Sequence, residues 1–135
     1  MAKLESFVKR AEDVKAEAWD DSRGRLAFHT LISGGLTPSN GLTAGLTIVE
    51  PGGSLATHSH TPPEIYYGLE GAGLVTVDGA ERKISAGDAL FIPGDALHGV
   101  RNPFEETFRF LYVFPVDGFA DVEYKWVAAP SSSRG

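Results

Sequence analysis

The chain has no cysteine and one methionine in 135 residues. Without thiols, disulfides, thiolate metal sites and cysteine nucleophiles are all excluded, and a reducing compartment is compatible. Basic charge is also in deficit, with 12 Lys and Arg against 18 Asp and Glu and a net charge of −6. Neither nucleic acid nor an anionic membrane surface would be attracted to such a chain. No apolar run approaches the ~20 residues of a membrane-spanning helix. The first residues, MAKLESFVKRAEDVK, are charged throughout and lack the apolar centre of a signal peptide. The expectation is a soluble, cytoplasmic protein with a small molecule as its partner, and neither nucleic acid nor membrane. The length suits one domain burying roughly two-thirds of the surface its unfolded chain exposes.

Helical periodicity is scarce. From Lys3 to Lys15, Leu4, Phe7, Val8, Ala11 and Val14 fall on one helical face, which predicts a short amphipathic helix lying on the domain. After Trp19 the texture is of strands separated by Gly, Pro, Asn and Asp. Arg25 to Ser33 and Leu42 to Glu50 are the first two, followed by a histidine strand after Pro51, Gly52 and Gly53. Glu64 to Glu70 and Leu74 to Val77 come next. The pair Asp78 and Gly79 favours positive φ and predicts a hairpin returning through Glu81 to Ile84. Ala89 to Pro93 and His98 to Arg101 read as short strands. In Thr107 to Val116, Phe108, Phe110, Tyr112 and Phe114 share one face while Leu111 and Val113 occupy the other, so the strand reads as apolar on both sides. A last strand is expected over Asp121 to Val127, and a disordered tail over 131–135. Many short strands with frequent turns predict an all-β domain over 1–130, a small closed or two-sheet barrel spanning 25–127 behind the helical segment 3–15.

The stretch GGSLATHSHTPPEIYYGLEG, Gly52 to Gly71, gathers chemistry. His58 and His60 lie two residues apart, so on a strand they leave the same face. Glu64 follows shortly after. Imidazole nitrogens with a carboxylate oxygen suit a divalent transition metal such as Fe, Mn, Co, Ni or Zn rather than calcium. A fourth ligand is wanted, and His98, in the punctuated stretch GDALFIPGDALHGVRN, is the natural candidate. His29 has no such surroundings and reads as structural.

These residues resemble a known pattern. Gly52, His58, His60, Glu64 and Gly71 resemble the first cupin motif at every position and spacing, and Gly87, Pro93, His98 and Asn102 resemble the second. Asp95 stands where that family usually has glycine; aspartate tolerates turn dihedrals, so the departure bears on loop shape more than on the metal site. The resemblance implies a double-stranded β-helix, a jelly-roll-like barrel, holding one metal ion on His58, His60, Glu64 and His98. It also implies a homodimer, as cupins commonly are. More narrowly, HSHTPPEIYY and FLYVFPVDGFADVEYKW look like the corresponding pieces of small single-domain cupin lyases that cleave dimethylsulfoniopropionate to dimethyl sulfide and acrylate. In that family a tyrosine two residues after the glutamate ligand is the proposed base and a second tyrosine near the carboxyl terminus assists. The matching positions are Tyr66 and Tyr124.

Tyr66 shares a strand face with Glu64, whereas Tyr67 points the other way. A phenol with a pKa near 10 is about three units too weak an acid to serve as base at neutral pH unless a cation lowers it. A sulfonium substrate calls for aromatic faces. Trp19, Tyr124 and Trp126 are the candidates for substrate binding, together with Phe28; Phe28 and Trp126 weigh toward the core, and Trp19 toward a lid or a packing plug. A non-haem iron dioxygenase, a non-catalytic binding cupin and a sugar or keto-acid isomerase stay open as alternatives.

Overall fold

Turn chemistry sets the framework of the computed structural model, which describes residues 3–127. Asp78 and Gly79 both take positive φ, 47° and 85°. That is the two-residue hairpin geometry whose twist matches its flanking strands. It joins β6 (Ala72–Val77) to β7 (Ala80–Ser85), with Val77 opposite Ala80. The remaining strands are β1 (Glu17–Asp21), β2 (Gly24–Ile32), β3 (Thr43–Val49), β4 (Ser54–Ser59), β5 (Glu64–Glu70), β8 (Ala89–Ile92), β9 (His98–Arg101), β10 (Phe108–Phe114) and β11 (Lys125–Trp126).

All described strands belong to one sheet, ordered β7-β6-β9-β4-β2-β3-β10-β5-β8, with β1 on β2 and β11 on β4. Every ladder is antiparallel. The two ends of this order, β7 and β8, are consecutive in the chain, and the turn between them bonds to β5. Gly68 N–H donates to the Asp88 carbonyl at 2.9 Å and Gly87 N–H donates to the Gly68 carbonyl at 2.9 Å. The sheet therefore curls into a nearly closed barrel, which leaves little free edge.

Period-two alternation fills the barrel. On β10, Phe108, Phe110, Tyr112 and Phe114 are all buried, joined by Val49, Val75, Ile92 and Val100 from facing strands. Asn102 is 1% exposed, and its side chain donates to the carbonyls of Val49 at 2.9 Å and Glu106 at 2.8 Å while accepting from Phe104 N–H at 3.0 Å. It clamps the end of β3 to the loop before β10. Asn102→Ala should cost about 1–3 kcal/mol, because buried backbone carbonyls lose their partner. A urea midpoint unchanged from wild type would show the clamp to be dispensable.

Three expectations are corrected in detail. The helix over Lys3 to Lys15 is reduced to a 3-10 turn at Ala11–Asp13, and Leu4, Phe7 and Val8 are exposed. So short a helix is marginal unless a packing surface holds its apolar face, and none does here. The final strand shrinks to Lys125–Trp126 behind a 3-10 turn at Phe119–Asp121. β1, an exposed edge of charged residues around Trp19, was not anticipated. Asp95 adopts φ 64°, as its turn position requires. The tail 131–135 lies outside the described residues.

Candidate metal centre

His58 lies near the end of β4 and His60 just beyond it, while Glu64 opens β5 and His98 opens β9. The two-residue spacing brings the His58 and His60 rings to 5.6 Å, and the β4–β9 ladder sets His98 directly opposite His58, with ring centroids 4.2 Å apart. All four side chains are buried. One ring nitrogen from each histidine lies within 4.8 Å of those of the other two. The Glu64 Oε1 atom is 3.2 Å from His60 Nε2 and 3.3 Å from His98 Nε2.

Backbone carbonyls orient all three rings. His58 Nδ1–H donates to Ala56 O at 2.8 Å, His60 Nδ1–H to Pro62 O at 2.9 Å, and His98 Nδ1–H to Ala96 O at 2.9 Å. With Nδ1 protonated, a ring in its neutral form keeps its Nε2 lone pair for the interior, as at His58 and His98, while His60 Nε2 lies 3.2 Å from the Glu64 carboxylate. The His98 Nε2 atom is buried without a hydrogen-bond partner; its approach to Glu64 is not aligned as a hydrogen bond. Burial, then the neighbouring His98, holds the His58 imidazole down at about 3 despite the Ala56 carbonyl, so it stays neutral. At His60 burial acts downward, but the Glu64 carboxylate and the Pro62 carbonyl outweigh it and raise the imidazole. A proton between His60 Nε2 and Glu64 Oε1, 3.2 Å apart, satisfies that pair, while the lone pairs of His58 and His98 converge on the same point and call for a cation between them. The donor set is chemically suited to one divalent transition ion, with carbonyls as the outer partners that usually fix metal-bound imidazoles.

A cavity of about 360 Å³, counted with its open mouth, adjoins this centre and is lined by Glu64, Tyr66, Tyr112 and Tyr124 together with an aromatic wall of Trp19, Phe28 and Phe119. Burial, then the charge of Glu64 and the phenols of Tyr124 and Tyr112, pushes the Tyr66 phenol well above 10. Tyr124 is raised by burial and by Glu64 and Tyr112. Its ring stacks on His58 at 4.8 Å and 19° and lies parallel to Phe119 at 6.1 Å and 4°. Trp19 meets Phe28 edge-on at 5.2 Å. Trp126 is outside the cavity lining; it stacks on Tyr124 at 5.4 Å, lies opposite His58 across the β4–β11 pair with the rings 5.1 Å apart, and meets the cavity-lining Trp19 edge-on at 6.0 Å. His29 is structural, its Nδ1–H donating to Val14 O at 2.8 Å.

Tyr112 was not singled out from sequence. Its inward period on β10 looks like that of the core phenylalanines beside it. The available signal was Gly45 on the facing strand β3: a Cβ there would collide with the Tyr112 phenol oxygen, so the glycine makes room for a polar end inside the barrel. Thr30 Oγ1, at 3.5 Å, is that oxygen's neighbour.

Comparison with known proteins agrees with this architecture. The cupin domain family model matches residues 45–114. The dimethylsulfoniopropionate lyase DddW of Ruegeria pomeroyi is 44% identical over 111 residues, which cover 82% of this chain and 72% of that protein. Among solved structures, a predicted oxalate decarboxylase from Thermotoga maritima superposes with a TM-score of 0.72 at 26% identity, covering 82% of this chain and 99% of that one. The polyketide cyclase RemF of Streptomyces resistomycificus superposes at 0.78 with 25% identity, covering 93% and 87%. A barrel of this strand order, a family model spanning over half its length and a relative matching most of it have one meaning: the chain belongs to the cupin family.

Proposed function

We propose that this protein is a metal-dependent carbon–sulfur lyase that cleaves dimethylsulfoniopropionate, or a similar small carboxylate, to dimethyl sulfide and acrylate. The observation that carries the reading is that Tyr66 follows Glu64 at strand period on β5, so that both line one aromatic cavity beside three converging imidazoles. The 44% identity to the Ruegeria lyase supports the reaction class.

His58, His60, Glu64 and His98 would hold the metal ion. Bound there, it would supply Lewis acidity toward a carboxylate, accept charge developing beside that group and favour ionisation of a nearby phenol. Among the residues lining the cavity, Glu64 alone carries a formal charge, and it faces the metal ligands. A sulfonium head is then recognised by ring faces, which attract a cation through their quadrupoles without forming a covalent bond. Trp19, Phe28, Phe119 and Tyr124 supply those faces. Tyr66 removes the proton from the carbon next to the carboxylate; the C–H electrons form the new double bond as the C–S bond breaks, and its pair leaves on sulfur as dimethyl sulfide. Tyr124 assists from the same cavity as a second phenol. Tyr66 is buried and Tyr124 half-buried among aromatic rings, which limits water on the proton's path.

The homodimer implied by the resemblance remains part of this reading, as does cytoplasmic location. No helix among the described residues is long and apolar enough to cross a membrane.

Incubating purified, metal-loaded protein with dimethylsulfoniopropionate and measuring headspace dimethyl sulfide tests the proposal, with His58→Ala as control. No product above that control removes the reading. Oxygen uptake during turnover would favour a dioxygenase instead, because elimination consumes none. Trp19→Leu keeps an apolar plug but removes a ring face, and should raise KM by about 2- to 30-fold, the equivalent of ~0.5–2 kcal/mol of cation–π attraction. An unchanged KM in steady-state kinetics would leave Trp19 a packing residue.

A further inference from the structure

The aromatic wall of the cavity starts at a charged hairpin tip. On β1, period two puts Glu17, Trp19 and Asp21 on one face. Asp21 stands opposite Gly24, so Ser22 and Arg23 alone make the turn into β2. Arg23 reaches back from that turn and lays its guanidinium over the indole, with Cζ 4.0 Å from the Trp19 ring centroid. Asp21 fixes it there, accepting from Arg23 Nε at 3.1 Å, from Nη2 at 2.8 Å and from the Arg23 backbone N–H at 2.9 Å. The side-chain bonds, then the backbone bond, hold the Asp21 carboxyl down at about 2. It is ionised at neutral pH, and the pair carries no net charge.

Trp19 lines the cavity and Arg23 does not. The guanidinium therefore covers the indole from outside, and the cavity meets the part of the ring that Arg23 leaves free. Phe28 at 5.2 Å and Trp126 at 6.0 Å meet the same indole edge-on. The turn is also tied to the barrel. The Arg23 carbonyl accepts from Ala56 N–H at 2.8 Å, and the Ala56 carbonyl is the one that orients His58. Gly24 and Arg25 pair with Leu55 and Ser54 on β4.

The Arg23 and Asp21 side chains are 42% and 47% exposed, and an ion pair so exposed adds little to stability. Its consequence here is electrostatic. A cation over one side of an aromatic ring repels a second cation brought to the other, since both draw on one quadrupole and the charges stand only roughly 8 Å apart. Left unpaired, Arg23 would work against recognition of a sulfonium by this wall. Paired with Asp21, it keeps its packing contact without a net charge.

We propose that Asp21 and Arg23 set the preference of the cavity for a cationic head: Arg23 positions the Trp19 ring from outside, and Asp21 cancels the charge that would repel a cation across that ring. Both are positioning residues that act through Trp19. The inference rests on the aromatic wall as the cation site of the proposed function and is independent of whether elimination follows binding.

Calorimetric titration of the metal-loaded full chain with two isosteric acids tests it. One, 3-(trimethylammonio)propanoate, carries a permanent cation, and its amine leaves far less readily than a sulfide. The other, 4,4-dimethylpentanoate, has carbon in place of nitrogen and is neutral at that end. Wild type should bind the cationic acid more tightly. Asp21→Asn keeps an acceptor for the Arg23 backbone N–H and for Nε but removes the charge. It should weaken the cationic acid by about 2- to 5-fold at about 10 millimolar salt and by less at about 1 molar, with the neutral acid unchanged. Adding Arg23→Gln to Asp21→Asn removes the uncompensated charge and should return the ratio of the two affinities to its wild-type value. Arg23→Gln alone leaves a lone carboxylate at the tip and should move the ratio the other way, toward the cationic acid; it is read in place of Asp21→Asn should that variant differ from wild type in circular dichroism. In a Trp126→Phe background, where Trp19 is the remaining tryptophan, acrylamide quenching of the emission should increase with Arg23→Gln and recover in part with Arg23→Lys.

Equal weakening of both acids in Asp21→Asn, or no change in either, overturns the charge role of Asp21. Unchanged quenching in Arg23→Gln overturns the positioning role of Arg23. A wild type that binds the two acids alike, or neither, overturns the inference together with the aromatic wall as a cation site. Dimethyl sulfide production with an unmoved affinity ratio removes this inference alone, and a moved ratio without dimethyl sulfide removes the lyase reading alone.

Discussion

Replacing Tyr66 with phenylalanine should lower turnover of the sulfonium substrate by about 10²- to 10⁴-fold, the usual worth of a general base, while metal content by elemental analysis stays at the wild-type level. The substitution removes one oxygen and keeps the ring. Contact with Phe110, whose ring centroid lies 4.3 Å away, is therefore retained, and the barrel has no new void to collapse into. A loss confined to kcat would place the phenol oxygen in the transition state, since an interaction made only there lowers kcat and kcat/KM together. Tyr67→Phe, one residue along but on the outer face, should leave turnover unchanged. Full activity in Tyr66→Phe would return Tyr66 to the core. The phenol is a demanding choice of base, because burial and the adjacent carboxylate both oppose its ionisation. A cation held by the histidine cluster would be the compensating charge.

What could be read from the sequence depended on local chemistry. Glu64–Glu70 and His98–Arg101 came out at their observed bounds because the Pro62–Pro63 pair and turn residues punctuate them, and the Asp78–Gly79 hairpin because both residues accept positive φ. The helix over Lys3 to Lys15 did not materialise because spacing indicates which face could be buried but not whether anything exists to bury it. Register was equally hidden. That His98 stands opposite His58 is a property of the β4–β9 ladder, formed by residues 40 apart in sequence, and no local pattern encodes it. Trp126 illustrates the same limit from the other side. Alternation along Asp121 to Val127 suggested a core or substrate position, yet the strand forms only at Lys125–Trp126 and leaves the indole 37% exposed, against Tyr124 and Trp19 but outside the cavity lining.

One alternation therefore organises much of the molecule. On β5 the inward residues Glu64 and Tyr66 meet the ligand cluster and the cavity, and on β10 the inward Phe110 and Tyr112 complete the wall. The reading of Thr107 to Val116 as apolar on both faces anticipated a doubly covered strand. Its inner residues are buried, while Leu111 and Val113 are half-buried on the outer face. A fold with one layer of sheet curled on itself carries its cavity on one side of strands whose other side faces outward, so a change on the outer face can reach the cavity through a single peptide unit.

Replacing His98 with alanine should strip the metal. Its Nε2 is the buried atom that finds no hydrogen-bond partner in the protein, so its burial is compensated only when it donates to a cation. Mutation of outer partners of metal ligands typically costs about 10- to 100-fold in affinity, and loss of a direct ligand should cost at least as much. Elemental analysis after dialysis would then find metal far below one equivalent, with no dimethyl sulfide produced. Thermal unfolding separates ligand loss from a packing defect. Metal binding stabilises the native state by about 2.7 kcal/mol at 100 times its dissociation constant, so wild type should lose stability on adding chelator, while His98→Ala should respond little. If the variant is merely underpacked, both proteins will shift equally with chelator and the metal content will match. In that case His98 leaves the ligand set, and the cluster is reduced to His58, His60 and Glu64.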